Sequence, residues 1–449
     1  MNAPKGSDNH PLRLTLNIKG AAAVFACPVP TLRALVEAGG IDPTRDFRGA
    51  DLRGWPLGGQ DVSGFNFTDA DLRDTGIEQA RVDETTCFTR AIFDDKRPSA
   101  PPLYSVIDIE QAKDMILRGE TPPADWWPHI TELNFSETEL ADLTPLKHLT
   151  TILMLDLSET QVSDLTPLAH LTALKELDLS GTEVSDFTSL AQLTTLEKLD
   201  LDGTVVSDLS PLAQLTALQS LNLSSTQVSD LAPLARLTAL KNLDLEGTLV
   251  SDLTLLAQLT ALQELYLSGT EVSDLTPLTQ LTALQELYLS DIQVSDLTPL
   301  AQLAALQGLY LGGTLVSDLA PLARLTALQE LDLSETQVSD LTPLAQLTAL
   351  QRLYVWSTQV SDLTPLAQLT ALHGLYLSNT QVSDLTPLAQ LTALKDLGLS
   401  DTQVTDITAL SAIFGLTATV ESDDRAEVLR ATLAAGSRVT VETHRFIEW

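Results

Sequence analysis

One stretch of 22 residues recurs through most of the chain. Leu171 to Gln192 reads LTALKELDLSGTEVSDFTSLAQ, and Leu193 to Gln214 reads LTTLEKLDLDGTVVSDLSPLAQ. Copies follow one another without insertion from Leu149 onwards, and a more divergent copy precedes them, which makes thirteen copies over about residues 127–412. No copy can bury its own leucines alone, so neighbouring copies must stack into a solenoid.

Each copy has the pattern of a strand, a turn and a short helical segment. Leu177 and Leu179 alternate with polar residues, which is the period-two pattern of a strand with one buried face. Gly181-Thr182 then predicts a turn. The pair Thr166-Pro167 favours the start of a short helix, because Thr caps free N–H groups and Pro has none at the first position. Asp164, just before, is expected to hydrogen-bond the same turn.

The frame L-x-x-L-x-L-x-x-T-x-V-S-D-L-T-P-L resembles the short bacterial leucine-rich repeats of the internalin type and the related SDS22-like class. The resemblance covers about two thirds of the chain. It implies an α/β solenoid with a parallel concave β-sheet and short turns or 3-10 segments on the convex side. The family usually has Asn in the turn after the strand, where most copies here have Thr, such as Thr182, and one has Ile292. A stacked Asn ladder hydrogen-bonds turn backbones, and we expect Thr hydroxyls to replace it only in part.

A second, shorter repeat precedes the solenoid. Apolar residues recur every five positions from Phe47 to Val82, and Ala50-Asp51-Leu52 and Ala70-Asp71-Leu72 share the form A-D-L. The segment resembles the pentapeptide-repeat family, in which four units form one square coil of a right-handed β-helix. The resemblance implies about two coils, with a register shift of one residue at Phe88.

These patterns predict five segments. They are an N-terminal strand and helix segment (1–46), a pentapeptide-like β-helical head (47–95), a linker with a cap helix (96–126), the solenoid (127–412) and a C-terminal cap (413–449).

Both ends of the solenoid are expected to be covered, because an uncovered end exposes apolar side chains. A helix over 109–117, together with Trp126 and Trp127, is expected to cover the first copy. A strand over 416–421, a helix over 423–435 and a strand over 438–442 are expected to cover the last.

Composition limits the classes of function that this chain can have. With 26 basic against 60 acidic residues, the net charge of −34 argues against nucleic-acid binding by phosphate neutralisation. Two cysteines, Cys27 and Cys87, fit a reducing compartment, and the sequence has no apolar run long enough for a membrane span. Signatures of nucleotide-binding loops, zinc proteases and serine hydrolases are lacking, and His148 and His170 have no third metal ligand. We therefore expect no catalysis, cofactor or metal.

The exposed face of the strands varies from copy to copy. Parallel strands stack at about 4.8 Å, so equivalent positions form columns. The column beside the central leucine is acidic in the early copies and aromatic in the later ones. The predicted partner-binding residues are Asp156, Asp178, Asp200, Asp202 and Asp244 in the acidic half and Tyr266, Tyr288, Tyr310, Tyr354, Trp356 and Tyr376 in the aromatic half.

Two explanations of these columns stay open. Exposed Tyr and Trp side chains dominate protein interfaces, and neighbouring Asp carboxylates repel one another without benefit to folding. Alternatively, Tyr has a high strand propensity, and recent duplication of a copy would carry a tyrosine along without any role in binding.

The sequence thus predicts a non-enzymatic, cytoplasmic, monomeric scaffold that binds a protein with a basic patch on its concave face, and neither nucleic acid nor membrane. An SDS22-like role in phosphatase regulation is one version, by analogy of fold. The alternative is an exported, internalin-like adhesin or effector, for which Val24 to Cys27 only faintly matches a lipoprotein cleavage box. A DNA-mimicking inhibitor is a third reading, which depends on a pentapeptide-like segment that is short for that role.

Overall fold

The computed structural model describes residues 13–18, 21–26, 32, 47–55, 57–82, 86–88, 90–93, 109–433 and 437–443. The chain forms two compact units, Met1–Thr131 and Glu132–Trp449. Cys27, the linker expected from residue 96 and most of the helix expected before residue 46 lie outside the described residues.

The first unit begins with a hairpin. Strand β1 (Arg13–Ile18) pairs antiparallel with β2 (Ala21–Ala26), and Leu14 lies opposite Phe25. The alternating residues after position 12 therefore form the predicted strand. The apolar stretch that follows forms its partner strand.

Residues 47–93 wind into stacked coils. Asp51 bridges to Asp71 and Asp61 to Arg81, each 20 residues later, whereas Asn66 bridges to Cys87, 21 residues later. The extra residue lies between Arg81 and Cys87, which accounts for the register shift seen in the sequence.

The coils turn at every fifth residue around an apolar core. The N–H of Ala50 donates to the carbonyl of Phe47 and that of Trp55 to the carbonyl of Leu52, three residues back in each case. The residues repeated every five positions are buried: Phe47, Leu52, Leu57, Val62, Phe67, Leu72 and Ile77. The coil geometry agrees with four five-residue units per turn. Membership of the pentapeptide-repeat family stays a prediction.

Helical segments complete the first unit. They are a 3-10 helix over Ile77–Gln79, the α-helix α1 (Ile109–Leu117) and a 3-10 helix over Trp127–His129. Trp126 is buried, and the indole N–H of Trp127 donates to the carbonyl of Pro122 at 2.8 Å. That these tryptophans cover the first copy stays a prediction.

The second unit is built on one parallel sheet of fifteen strands in sequence order. The strands of the thirteen copies are β3 (Glu132–Asn134), β4 (Met154–Asp156), β5 (Glu176–Asp178), β6 (Lys198–Asp200), β7 (Ser220–Asn222), β8 (Asn242–Asp244), β9 (Glu264–Tyr266), β10 (Glu286–Tyr288), β11 (Gly308–Tyr310), β12 (Glu330–Asp332), β13 (Arg352–Tyr354), β14 (Gly374–Tyr376) and β15 (Asp396–Gly398). The predicted leucine-rich repeat solenoid with a parallel sheet is confirmed.

Each strand is followed by a turn and a 3-10 helix on the return path. These helices span Thr144–Leu146, Thr166–His170, Thr188–Gln192, Ser210–Gln214, Ala232–Arg236, Thr254–Gln258, Thr276–Gln280, Thr298–Gln302, Ala320–Arg324, Thr342–Gln346, Thr364–Leu366, Thr386–Leu388 and Thr408–Leu410. Leu177 is 2% exposed, and Leu171, Leu174 and Leu179 are fully buried. Burial of each such leucine contributes about 2 kcal/mol relative to an exposed one, so the stacked leucines hold the copies together.

The recurring Asp before each copy's 3-10 helix caps that helix. The Asp164 carboxylate accepts the backbone N–H of Thr166 at 2.8 Å, and the same bond links Asp230 to Ala232, which has no hydroxyl. The predicted role of Asp is therefore confirmed. The prediction that Thr itself caps the helix is wrong, because Thr166 is the first helical residue and its N–H is the group that is capped.

The buried threonines act inside their own turns. The hydroxyl of Thr182 donates to the carbonyl of Leu179 at 2.6 Å, three residues back. Neighbouring turns are joined by backbone instead, since the N–H of Gly181 donates to the carbonyl of Asp202 at 2.8 Å. Thr thus supplies a bond within each turn rather than a ladder between turns. Ile292, at the equivalent position, is fully buried and makes no such bond.

Two further strands extend the sheet beyond the last copy. Strand β16 (Thr417–Val420) pairs with β15, and β17 (Thr440–Thr443) pairs with β16, both in parallel. Between them, helix α2 (Asp423–Thr432) is capped at its start by the Ser422 hydroxyl. These elements match the strand, helix and strand expected there, although the helix ends three residues earlier than predicted.

Candidate functional site

We call the open side of the parallel sheet the strand face. The tyrosine column is formed by the third residue of each strand from β4 to β15. In register it reads Asp156, Asp178, Asp200, Asn222, Asp244, Tyr266, Tyr288, Tyr310, Asp332, Tyr354, Tyr376 and Gly398. The structure therefore brings all but two of the predicted binding residues into one row. The others, Asp202 and Trp356, lie two residues beyond Asp200 and Tyr354 in their copies.

The tyrosine rings stack face to face. Tyr266 and Tyr288 have ring centroids 4.3 Å apart, and Tyr288 and Tyr310 are 4.2 Å apart with planes only 6° from parallel. Tyr354 and Tyr376 form a second stack at 4.5 Å. Asp332 separates the first stack (Tyr266, Tyr288, Tyr310) from the second stack (Tyr354, Tyr376).

Stacking leaves the tyrosines partly buried. Each ring covers a face of its neighbour, so the rings do not protrude freely as the sequence alone suggests. Burial raises the pKa of Tyr354 to about 12. Trp356 is 37% exposed and is the more open aromatic side chain. Aromatic pairs of this kind contribute about 0.5–1.5 kcal/mol beyond their buried area, so the rings also stabilise the fold.

The acidic half is tied into the turns. The Asp178 carboxylate accepts the backbone N–H of Ser180 at 2.9 Å and its hydroxyl at 2.6 Å. Asp200 accepts the N–H of Asp202 at 3.0 Å, and burial raises the pKa of Asp200 above its usual range. These carboxylates also bond the turn that ends each strand, so the fold offers a second explanation of the acidic half beside partner binding.

Lysines also moderate the charge of the acidic half. Lys198 pairs with Glu176 at 2.9 Å, and Lys175 pairs with Glu197 at 2.8 Å, each across one copy. Exposed pairs of this kind contribute about 0–1 kcal/mol to stability. They nevertheless place cations among the carboxylates, so this half is less negative than its aspartates alone suggest.

A second column, which sequence reasoning missed, runs beside the tyrosines. We call the first residues of β9 to β14 the flanking column; they are Glu264, Glu286, Gly308, Glu330, Arg352 and Gly374. Arg352 pairs with Glu330 at 2.6 Å, and the Glu330 side chain is only 19% exposed. The signal was in the sequence, because glycine replaces a long polar residue at Gly308 and Gly374.

Among the described residues, no three His, Cys, Asp or Glu side chains come together as a metal site. Within the same part of the chain, no helix combines the length and the apolar character needed to cross a membrane.

Stacked copies with buried leucines and a variable open face define a solenoid repeat protein. A family model described as leucine-rich repeats (2 copies) matches residues 194–236, 260–302, 326–368 and 370–412. An internalin (inlF) of Listeria monocytogenes is 32% identical, with a TM-score of 0.65, over 70% of this chain and 95% of that one. The chain belongs to the leucine-rich repeat family.

Other solved structures share the fold at lower identity. A leucine-rich repeat protein of Leptospira interrogans is 23% identical over 71% of this chain and 85% of its own, with a TM-score of 0.64. The plant peptide hormone receptor RGFR1, solved in complex with RGF2, is 18% identical over 70% of this chain and 60% of its own, with a TM-score of 0.51. A search of curated proteins found no match.

Proposed function

We propose that this protein is a non-enzymatic scaffold that binds a protein partner on its strand face, with the two tyrosine stacks as anchors. The observation that carries the proposal is the pair of stacks, which places five tyrosines in one row on an open sheet. Tyr side chains are enriched among the residues that contribute most to protein interfaces. A rigid row loses little conformational entropy when a partner covers it.

The neighbours of the tyrosines favour binding over duplication. The copies around Tyr266 and Tyr288 read ELYLSG and ELYLSD, as duplication would leave them, but those around Tyr310 and Tyr354 read GLYLGG and RLYVWS, so there the tyrosine persists while most other exposed positions change. Recent duplication would have copied the neighbours as well. The family supports the same use, because leucine-rich repeat proteins, including internalins and receptor ectodomains, are protein-interaction scaffolds.

The finer parts of the proposal concern location and partner. We place the protein in the cytoplasm as a monomer, with a partner that carries a basic patch opposite the acidic half. The exported, internalin-like role is the second candidate, and the 32% identity to inlF favours it. Cell fractionation followed by immunoblotting separates the two, because an adhesin or effector appears at the surface or in the medium. The SDS22-like role in phosphatase regulation stays an analogy.

We propose that the N-terminal head and the caps have structural roles. We retain the five-segment division, with residues 47–95 as a pentapeptide-like head and 413–449 as a C-terminal cap. A DNA-mimicking head would present unpaired carboxylates. Instead, Asp51 pairs with Arg53 at 2.6 Å and Asp69 with Arg90 at 2.6 Å, which disfavours DNA mimicry.

Capture of partners by the intact chain tests the proposed function. The wild-type protein is immobilised, and the retained proteins are identified by mass spectrometry. We expect Tyr288→Ala combined with Tyr354→Ala to lose a partner that Phe414→Ala retains, because Phe414 is 62% exposed but lies outside the tyrosine column. A partner retained equally by all three proteins would place the binding site elsewhere.

A further inference from the structure

The carboxylate of Glu286 lies over Gly308 in the flanking column. A Cβ built on Gly308 would overlap Oε2 of Glu286, so glycine leaves the space that this carboxylate occupies. Oε2 is buried and makes no hydrogen bond within the described part of the chain. A buried polar atom without a partner destabilises the fold. Folding therefore gives no reason for a carboxylate here.

The charges around Glu286 are also negative. Glu264 and Glu330 lie in the same column, and burial, followed by the charges of Glu330 and Glu264, raises the pKa of Glu286. The cation of the flanking column, Arg352, lies three copies further along and is paired with Glu330 at 2.6 Å. Glu286 has no ion pair within 4.0 Å in the solenoid as described.

The second stack shows what such a site looks like when it is complete. Arg352 follows Glu330 by one copy, pairs with it, and lies beside Tyr354 at the third position of the same strand. Gly374 makes room there, since its Cβ would lie 3.2 Å from Cγ of Arg352 and 3.3 Å from Cε2 of Tyr376. A carboxylate, a guanidinium and stacked tyrosines thus meet within three consecutive copies.

The first stack has a comparable carboxylate but not the cation, and its tyrosines lie on the other side: Tyr310 stacks on Tyr288 of the preceding copy, whereas Tyr354 stacks on Tyr376 of the following copy. Gly308 follows Glu286 by one copy, as Arg352 follows Glu330, and Tyr310 takes the place of Tyr354 in its strand. The carboxylate and the tyrosines are present. The position that holds arginine in the second stack holds glycine in the first.

We infer that the protein partner supplies the missing group: the Glu286 carboxylate turns away from Gly308 to pair with an arginine side chain of the partner, which lies against Tyr288 and Tyr310. This inference depends on the proposed function and names the group that the strand face recognises. Arginine suits the site better than lysine, because a planar guanidinium both binds a carboxylate through two N–H groups and stacks on aromatic rings. Cation–π attraction to the tyrosines adds to the pairing.

Titration of the full-length protein with small peptides tests the inference. The probes are N-acetyl-Gly-Arg-Gly-amide, its lysine counterpart and its citrulline counterpart, which has the shape of arginine without the charge. Tyrosines labelled with ¹³C in the ring report binding by NMR, because the chain has only six tyrosines and five of them are in the column. We expect the arginine peptide to shift the signals of Tyr288 and Tyr310 most, the lysine peptide to bind several-fold more weakly, and the citrulline peptide to shift neither signal.

Two charge-matched variants separate a site from general attraction to an acidic protein. Glu286→Gln should weaken binding of the arginine peptide at least tenfold. The melting temperature of this variant should not fall, since an unpartnered carboxylate is removed. Glu271→Gln, an exposed change of the same charge in the turn that follows β9, should leave the affinity unchanged. An equal loss of affinity for the arginine peptide in both variants, or the absence of a signal shift at Tyr288 and Tyr310, would overturn the inference.

The captured partner distinguishes this inference from the proposed function. If Glu286→Gln retains a partner that Tyr288→Ala loses, the strand face binds the partner but the arginine assignment is wrong. If neither Glu286→Gln nor the combined Tyr288→Ala and Tyr354→Ala change affects capture, the proposed function itself fails. Loss of the partner with both changes, together with retention by Glu271→Gln, supports the arginine assignment.

Discussion

Tyr288 and Tyr310 stack with ring centroids 4.2 Å apart because their strands pair in parallel register, each ring lying one copy from the next. The geometry is set by the leucines beneath, since Leu287 and Leu309 face each other in the same register. Each ring is therefore both part of the fold and part of the candidate binding surface. A substitution in the column must be judged on both counts.

Tyr288 is the central ring of the first stack, so its loss should affect stability as well as binding. We expect Tyr288→Ala to reduce the free energy of unfolding by about 1–3 kcal/mol, since it removes two ring contacts and leaves Tyr266 and Tyr310 more exposed. Tyr288→Phe keeps the ring and therefore both stacking contacts, so its free energy of unfolding should match that of the wild type. Chemical denaturation of the three proteins measures the difference. Equal stability of the Ala variant would show that stacking contributes nothing to the fold.

Thr182 tests the bond that closes each turn. Thr182→Val removes the hydroxyl that donates to the carbonyl of Leu179 and should reduce the free energy of unfolding by about 1 kcal/mol. Thr172→Val, at an exposed position of the same copy, is the matched control and should change it by less than about 0.5 kcal/mol. If the two variants unfold alike, the buried hydroxyl is dispensable, as Ile292 shows it can be in one copy.

The sequence was sufficient to predict the solenoid but not the arrangement of side chains on its strand face. Alternation of Leu177 and Leu179 predicts the strand, and the 22-residue period predicts which residues become neighbours. The burial of the tyrosines depends on ring contacts between copies, which a single copy does not reveal. The first strand position, compared from copy to copy, also shows in the sequence that Gly308 follows Glu286. The unpartnered carboxylate itself becomes visible only in three dimensions.

The caps of the 3-10 helices predict how stability depends on pH. Hydrogen bonds from the Thr side chain and the backbone N–H lower the pKa of Asp274, Asp296 and Asp362, as they do in most other copies. A lowered pKa in the folded state favours the carboxylate, so its contribution is complete above the unfolded pKa, near 3.9, and is lost as the pH falls through the folded value. We expect the melting temperature to fall steeply below about pH 4.

The matching variant for this effect is the triple change of Asp274, Asp296 and Asp362 to Asn. An amide oxygen still accepts the backbone N–H but does not titrate. The variant should be less stable than the wild type at pH 7, and the difference should shrink as the pH falls toward 3. A constant difference across this range would mean that the caps act through geometry alone.

Asp332, between the two tyrosine stacks, should show the opposite pH dependence. Burial raises its pKa in the folded state, so its charged form destabilises the fold at pH 7, and that cost disappears as the carboxylate is protonated at lower pH. Asp332→Asn should therefore be more stable than the wild type at pH 7, and the two proteins should converge near pH 3. The geometry tolerates the amide, because Asn222 in the same column accepts the N–H and hydroxyl of Ser224 as Asp332 accepts those of Ser334. Thermal unfolding at pH 7, 5 and 3 measures both proteins, and a less stable Asn variant at pH 7 would show that the carboxylate, although buried, is stabilised by its hydrogen bonds more than burial destabilises it.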